Sequence, residues 1–320
     1  MKRYISRKDF LKTTALTTLS LPLIGISSCT SGKKESTTEK AMETPAAATK
    51  KYADHLGLQL YTVREALGTD PRGVLEKIAA IGYKEMEVYD LDTMPELKPV
   101  IEDLGMQIVA SHTRSGYLTQ KWNNDDAPEM SFDEVIATCA KHDIHNVGVA
   151  YLQPFERESL DDFKQFAEMA NQAGEKTKAA GIQFYYHNHS FEFKPMQGTT
   201  PWAEMMKIMD PELVKIELDI FWCQIAGKDP TKLIQKMGNQ ILALHVKDLK
   251  AGTPLDYTTS DVDHEAFQAV GNGVVNIKKV LSAAHEVGIP FAFVEQDHAV
   301  DADIFKSIEQ SYSFLQGLGI

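Results

Sequence analysis

Residues 181–189 have the sequence GIQFYYHNH, and they carry the pattern that decides the fold. They follow a long amphipathic segment, residues 158–180, whose spacing predicts a helix. Gly181 fits the position just past that helix, where the backbone takes a positive φ. The apolar run that follows predicts a strand ending in two histidines, His187 and His189. A helix therefore leads directly into a strand whose C-terminal end is polar.

The same alternation of short apolar runs and longer amphipathic segments occurs eight times from Leu56 onward. Repeated strand and helix units of this kind indicate an α/β fold with a parallel sheet covered by helices. The predicted strands are 56–61, 84–89, 106–112, 146–150, 182–189, 213–219, 241–247 and 290–296. The predicted helices lie near 70–81, 95–104, 131–142, 158–180, 200–209, 229–237, 275–287 and 301–316.

Eight such units in residues 52–320 predict a (β/α)8 TIM barrel that forms a single domain. A doubly wound sheet is the alternative. That fold usually has fewer repeats and often a glycine-rich turn after its first strand, whereas residues 61–64 here are YTVR. The barrel is therefore the preferred fold.

The N-terminal segment has the features of an export signal. Residues 1–28 begin with basic side chains and continue with an apolar run of about a dozen residues, short for a membrane span. The sequence ISSC at residues 26–29 resembles a bacterial lipoprotein box, which predicts cleavage before Cys29 and lipidation of that residue. Residues 29–51 are polar and aperiodic, so we expect a flexible tether. The predicted protein is periplasmic and contacts the membrane only through this anchor.

Charge and cysteine content exclude other classes of function. The chain has a formal net charge of −12, and residues 52–320 hold 23 basic and 41 acidic side chains, a net −18. Such a surface repels phosphate backbones, so no nucleic-acid partner is expected. The two remaining cysteines, Cys139 and Cys223, predict buried thiols rather than a disulfide framework.

Side chains capable of metal binding and acid–base chemistry stand at the C-terminal ends of the predicted strands. In a TIM barrel the active site lies at these ends. Histidines and carboxylates from adjacent strands suit a divalent ion such as Mn²⁺, Mg²⁺, Co²⁺ or Zn²⁺. The polar residues at the strand ends are Gln59, Glu87, His112, His187, His189, Glu217, Asp219, His245, Lys247, Asp248 and Glu295.

At these residues the chain resembles the xylose isomerase-like TIM barrel superfamily, often called sugar phosphate isomerases/epimerases. The resemblance extends from Leu56 to the end of the chain. The motifs that carry it are LGLQLYTVRE (56–65), GYKEMEVYD (82–90), YHNHSFEF (186–193), ELDIFW (217–222), LHVKD (244–248), VGNGVVNIKKVL (270–281) and FVEQDH (293–298).

The resemblance implies a divalent ion held by residues at the ends of strands 5, 6, 7 and 8. Asp219, His245 and Glu295 match the aspartate, histidine and second glutamate of the family. Many relatives have a glutamate where this chain has His187, which is thus expected either to bind the ion or to replace the missing base. The metal would polarise a carbonyl and stabilise an enediolate.

The resemblance also implies catalytic roles. Glu295, His187 and Lys247 are the predicted catalytic residues, Lys247 stabilising an enolate oxygen or forming a salt bridge at the rim. A histidine-rich strand 5 also occurs in relatives that resemble keto-inositol dehydratases, in which proton abstraction is followed by loss of a β substituent. Position at the strand ends, rather than the resemblance, predicts substrate binding by Glu87, His112, His189 and Trp222, where Trp222 either stacks on a sugar face or caps the barrel.

Three functions follow from these expectations. The first is a metal-dependent sugar isomerase or epimerase that abstracts a proton α to a carbonyl. The second is a lyase or hydratase that acts by β-elimination on keto-sugars or 3-keto-glycosides. The third is a non-catalytic sugar-binding lipoprotein. An exported protein without an arginine cluster is expected to take an unphosphorylated sugar, and an oligomer is possible.

Overall fold

The structure, a computed structural model, describes residues 51–122, 130–299 and 303–320. The predicted signal peptide, Cys29 and all but the last residue of the predicted tether lie outside the described residues. Ten strands are present in the described part of the chain. They are β1 (Gly57–Gln59), β2 (Glu85–Val88), β3 (Gln107–Thr113), β4 (Asn146–Val149), β5 (Gln183–His187), β6 (Val214–Asp219), β7 (Ile241–Val246), β8 (Asp248–Leu249), β9 (Phe267–Gln268) and β10 (Phe291–Val294).

Helices connect the strands in the order expected of repeated βα units. None of the helices in the described segments is long and apolar enough to cross a lipid bilayer. The helices are α1 (Arg64–Leu67), α2 (Pro71–Ile81), α3 (Met94–Asp103), α4 (Gly116–Thr119), α5 (Phe132–Lys141), α6 (Leu160–Ala179), α7 (Pro201–Ile208), α8 (Ile220–Ile225), α9 (Pro230–Met237), α10 (Ile277–Val287) and α11 (Ile304–Leu318).

Eight of the strands close into a parallel barrel in the order β1, β10, β7, β6, β5, β4, β3, β2. This confirms the predicted (β/α)8 TIM barrel, because each predicted strand segment overlaps one barrel strand. The two remaining strands, β8 and β9, form a short antiparallel pair after β7. The parallel arrangement places the C-terminal ends of all eight barrel strands at one mouth.

Local hydrogen bonds explain where strand and helix boundaries differ from the prediction. The first strand ends at Gln59 because its side chain accepts a hydrogen bond from Tyr61 N (3.0 Å), which begins a 3-10 turn. The short helix α8 follows β6 directly because Asp219 Oδ1 accepts a hydrogen bond from Trp222 N (3.0 Å). Gly181 has a φ of 75°, as predicted for the end of α6.

The barrel interior is filled below the mouth by a small apolar cluster. Ala110, Tyr185, Ala243 and Phe293 pack together there from four strands. The large rings fit because neighbouring positions are small. A Cβ at Gly148 would lie 2.4 Å from the Tyr185 ring, so only glycine fits at this position without displacement of that ring.

Replacement of Gly148 by alanine is expected to lower the free energy of unfolding by about 1–3 kcal/mol, the usual cost of overpacking a core. Urea denaturation would measure this change. Gly317→Ala is the matched control, because Gly317 lies on an exposed part of α11 and a Cβ there meets nothing within 4 Å. An unchanged unfolding free energy in Gly148→Ala would show that the Tyr185 ring can move aside freely.

Candidate metal centre

Four neighbouring strand ends bring together the residues predicted to bind a metal. His187 is the last residue of β5 and Asp219 the last of β6, while His245 lies near the end of β7 and Glu295 directly follows β10. Asp219 faces His245 in the register of the β6–β7 pair. All four side chains are buried, and one nitrogen or oxygen atom of each lies within 4.8 Å of the others.

The atoms of this metal cluster suit a divalent cation. His245 Nδ1 lies 2.8 Å from Glu295 Oε2, and His187 Nε2 lies 3.4 Å from Asp219 Oδ2. Both of these atoms of His245 and Glu295 are buried in close ion pairs, yet neither makes a well-directed hydrogen bond to a described residue, which is unusual for buried polar atoms. Two imidazole nitrogens and two carboxylates form a common divalent-metal ligand set. The cluster could therefore bind a metal ion.

Lys247 adds a positive charge beside the metal cluster. Its Nζ lies 3.1 Å from Asp219 Oδ2, 2.7 Å from Glu295 Oε2 and 2.8 Å from Asp297 Oδ1. Burial alone would lower the pKa of Lys247, but these carboxylates raise it well above its ordinary value. The side chain is 2% exposed and borders the central cavity. It is therefore an ammonium ion inside the site rather than on its rim.

Both ring nitrogens of His187 are already engaged. Nδ1 donates a hydrogen bond to the carbonyl oxygen of Ala150 (3.1 Å), and Nε2 faces Asp219. A neutral imidazole has one donor nitrogen and one acceptor nitrogen. The contact with Ala150 uses the donor and directs the acceptor toward the metal cluster, which is the orientation of a metal ligand.

A layer of carboxylates beneath the metal cluster orients His245. His245 Nε2 lies 2.6 Å from Glu87 Oε2 and donates to it, so Nδ1 points toward Glu295. Glu87 also accepts hydrogen bonds from Gln59 Nε2 (2.6 Å) and from the Tyr185 hydroxyl (2.5 Å). Outer partners of this type fix the tautomer and ring orientation of metal-binding histidines.

His112 provides the positive charge of this lower layer. Its Nε2 lies 2.7 Å from Glu217 Oε2 and 3.2 Å from Glu87 Oε1. Burial lowers the pKa of His112, but the two carboxylates outweigh it and raise the pKa to about 9. Glu87, His112, Glu217 and His245 thus form a second buried group whose atoms could also hold a cation.

A cavity of about 460 Å³ opens above the metal cluster. Among the predicted substrate-binding residues, His112, His189 and Trp222 line it. Glu87 lies below the cavity wall and is fully buried among its protein partners, so substrate binding by Glu87 stays a prediction. His189 Nδ1 and Trp222 Nε1 are buried and lack hydrogen-bond partners among the described residues. They are available to a bound molecule.

The cavity lining also includes residues from beyond the strands. Tyr151 and Asp297 directly follow the strands predicted at 146–150 and 290–296, and the sequence predicts polar residues of the mouth at these positions. His264 and Thr259 come from the long loop after β8, for which no periodicity predicts a position. His264 stacks on His298 with ring centroids 3.6 Å apart, and both rings border the cavity.

The glycine-rich loop at residues 271–273 is occupied by a carboxylate of the chain itself. Asp248 accepts hydrogen bonds from the backbone N–H groups of Gly271 (2.9 Å), Gly273 (2.9 Å) and Val275 (3.0 Å). These amides are the groups that would bind a phosphate in other glycine-rich loops. Here they position the loop against β8.

Glu192 is buried beside the site and supports the backbone of His189. Its carboxylate accepts hydrogen bonds from His189 N (2.9 Å) and from the Tyr186 hydroxyl (2.6 Å). Burial outweighs these hydrogen bonds and raises the pKa of Glu192 to about 7. The folded protein therefore holds a proton on this carboxyl at pH values where the unfolded chain has lost it.

We expect the free energy of unfolding to fall as the pH rises from about 4.5 to above 7, by on the order of 3 kcal/mol from Glu192. The contribution is fully present below the pKa of the unfolded chain and is lost as the pH passes the folded pKa. Glu192→Gln should flatten this slope in urea denaturation at pH 5 and pH 8. Glu168→Gln, at an exposed position of α6, should leave it unchanged. An unaltered slope in Glu192→Gln would contradict the assignment.

Comparisons with known proteins agree with the barrel. A family model described as xylose isomerase-like TIM barrel matches residues 75–315. The chain is 28% identical to an inosose dehydratase of Clostridium tetani over 235 residues, 66% of this chain and 76% of that protein. It is 25% identical to inosose dehydratase 2 of Bacillus cereus over 267 residues, 76% of this chain and 87% of that protein.

A solved structure has the same architecture. It is a sugar phosphate isomerase/epimerase from Parabacteroides distasonis ATCC 8503, with a TM-score of 0.67 and 26% sequence identity. The match covers 85% of this chain and 98% of that chain. The similarity thus extends over nearly the whole of that barrel.

Proposed function

This chain belongs to the xylose isomerase-like TIM barrel family, and on that premise we propose that it is a metal-dependent lyase. The substrate is a keto-sugar or keto-glycoside. The enzyme removes a proton from the carbon next to the carbonyl and expels the substituent on the following carbon. Elimination was the second of the functions expected from the sequence, and the comparisons support it better than the first.

The proposal rests on one observation, that both ring nitrogens of His187 already have partners within the protein. Epimerisation needs a second group that returns a proton to the opposite face of the carbon. His187 stands where many relatives have the glutamate of strand 5, but its Nδ1 is bonded to Ala150 and its Nε2 faces the metal cluster. One carboxylate base, Glu295, therefore serves the reaction. Elimination can proceed with one base.

The chain's own residues account for the movement of the proton. Glu295 takes the proton, and the electron pair of the broken C–H bond forms the enolate. The C–O bond to the leaving group then breaks as the new C=C bond forms, and the leaving oxygen collects the proton from Glu295. The Lys247 ammonium lies 2.7 Å from Glu295 Oε2, where it stabilises the enolate oxygen.

His187, Asp219, His245 and Glu295 would hold the metal ion. Mn²⁺, Co²⁺ and Zn²⁺ suit this set of nitrogen and oxygen ligands, and Mg²⁺ suits its carboxylates. When bound, such an ion supplies Lewis-acid polarisation of the carbonyl. His189 and Trp222 would orient the sugar hydroxyls through Nδ1 and Nε1, which have no partner among the described residues.

The names of the relatives support a dehydratase-type reaction. Both are called inosose dehydratases, enzymes that by their name remove water from an inosose. The cavity also favours an unphosphorylated substrate. No arginine is present among the described residues that line it, and the Lys247 ammonium is surrounded by three carboxylates.

Isomerisation or epimerisation is the second candidate. The similarity to the Parabacteroides distasonis sugar phosphate isomerase/epimerase favours it. Export, lipidation of Cys29, a periplasmic location and an oligomeric form belong to the proposal as expectations from the sequence alone.

Product analysis tests the choice between these reactions. We expect purified protein with Mn²⁺ to release the leaving group from a 3-keto-disaccharide in D₂O, as followed by mass spectrometry. Incorporation of deuterium beside the carbonyl, with every substituent retained, would support isomerisation or epimerisation instead. Sugar binding without either change would favour the binding protein.

A further inference from the structure

A second cavity of about 380 Å³ adjoins the one above the metal cluster. The two cavities share a wall made of Tyr89, His112, Ala150 and Tyr151. The second cavity is built by the loops that follow β2, β3 and β4, so it also lies at the mouth of the barrel. A molecule bound above the metal cluster can therefore extend across this wall.

The second cavity has the side chains of a site for a hydroxylated ring. Trp122 and Phe155 line it in addition to the shared tyrosines, and flat aromatic faces pack well against sugar or aryl rings. Thr113 also lines the cavity, and its Oγ1 is buried without a hydrogen-bond partner among the described residues. A buried hydroxyl without a partner is unusual, and a molecule in this cavity is the partner that we assign to it.

Contacts with Tyr117 and Gly116 hold the ring of Trp122 in place. Its ring packs edge to face against Tyr117, with centroids 5.2 Å apart. It also covers Gly116 so closely that a Cβ there would lie 2.8 Å from three atoms of the indole. A side chain at position 116 would displace the indole. Gly116 therefore allows Trp122 to form this wall of the cavity.

The charge of the second cavity favours a neutral ligand. Arg114 Nη2 lies 2.9 Å from Asp90 Oδ2, so the arginine is paired with a carboxylate of the same cavity. The other cation of the lining, Lys121, pairs with Asp162 Oδ1 (3.4 Å). A phosphate or carboxylate would have to displace one of these carboxylates to gain a cationic partner. A neutral ring leaves both pairs intact.

We infer that the second cavity is the subsite for the leaving group of the substrate, a neutral hydroxylated ring joined to the keto-sugar through its glycosidic oxygen. This inference rests on the proposed elimination. The keto ring lies above the metal cluster, and the leaving ring stacks on Trp122 and bonds to Thr113. The protein is then selective for keto-glycosides of a second sugar or a phenol over those of a small alcohol.

Turnover of two substrates tests the subsite. Trp122→Ala should lower kcat/KM for a 3-keto-disaccharide by about five- to tenfold, as expected for the loss of one aromatic contact, and should change kcat/KM for methyl 3-keto-glucoside less than twofold. Gly116→Ala should have the same selective effect, while Trp122→Phe should restore most of the loss. Phe314→Ala, which removes a partly exposed aromatic ring on α11, is the control. Equal loss on both substrates would overturn the subsite.

Binding without turnover separates the subsite from the proposed reaction. By calorimetry, the unmodified protein with Mn²⁺ should bind cellobiose or phenyl glucoside more tightly than methyl glucoside, and Trp122→Ala should abolish this preference. Comparing cellobiose with phenyl glucoside distinguishes a sugar from an aryl leaving group. Tighter binding of the two larger glucosides, together with no elimination from the 3-keto-disaccharide, would support the subsite and refute the proposed reaction. Equal affinity for all three ligands would overturn the subsite even if elimination occurs.

Discussion

Replacement of Glu295 by glutamine is expected to reduce kcat on a keto-glycoside by about 10²–10⁴-fold, the range attributed to a general base. Burial would raise the pKa of Glu295, but Lys247 and His245 outweigh it and lower the pKa to about 2. The side chain is therefore ionised at neutral pH, the form in which a carboxyl can take a proton. Glutamine has the same shape and cannot do so. Steady-state kinetics with a 3-keto-disaccharide would measure the loss.

Two controls separate the base from other roles of Glu295. Glu76→Gln removes an exposed carboxylate of α2 that pairs with Arg72, and should leave kcat unchanged. The metal content of Glu295→Gln should also be measured, because three other ligands remain in the metal cluster. Loss of turnover with the metal retained identifies the base. Turnover like that of the unmodified protein would remove Glu295 from the mechanism.

The strand ends show how far the sequence could predict the site. His187, Asp219, His245 and Glu295 were identified because each stands at the end of an apolar run, and parallel strands bring such ends to one mouth. Helix positions were also predictable, because the spacing of apolar residues indicates a helix and a glycine such as Gly181 indicates where it ends. Neither inference needs knowledge of how a particular side chain is oriented.

Depth within the barrel could not be predicted. Glu87 and His112 stand at strand ends like the metal cluster, and both were expected to bind substrate. The structure places Glu87 below the cavity, bonded to His245 and Tyr185, because strands in a barrel are staggered and equivalent sequence positions lie at different heights. Loop residues such as Thr259 were equally unpredictable, since their position depends on a contact with Tyr151 (3.0 Å) that is distant in sequence.

The imidazole of His245 connects the two buried charge groups. Its Nδ1 faces Glu295 in the metal cluster, whereas its Nε2 donates to Glu87 in the layer below. Burial would lower the pKa of His245, but without a metal Glu217, Glu295 and Glu87 raise it well above its ordinary value. A cation bound at Nδ1 would have to replace the proton there. Metal binding should therefore release protons.

Asp219→Asn is expected to weaken Mn²⁺ binding by at least about 100-fold, the upper range found when only an outer partner of a metal ligand is removed. Asp219 Oδ2 faces His187 and Lys247, so the substitution removes a negative charge that the cation would share with the ammonium. The fold should survive, because an asparagine oxygen can still accept the hydrogen bond from Trp222 N that begins α8. Titration calorimetry with Mn²⁺ and metal analysis after dialysis would measure the change.

The same substitution also decides which of the two buried groups holds the ion. Asp103→Asn, on the exposed face of α3 where Asp103 pairs with Arg72, should bind Mn²⁺ like the unmodified protein. Undiminished Mn²⁺ affinity in Asp219→Asn would place the ion in the lower group instead. Glu217→Gln should then abolish binding, because Glu217 contacts His112 and His245 there but belongs only to that group. If the ion lies in the metal cluster, Glu217→Gln should still bind one equivalent.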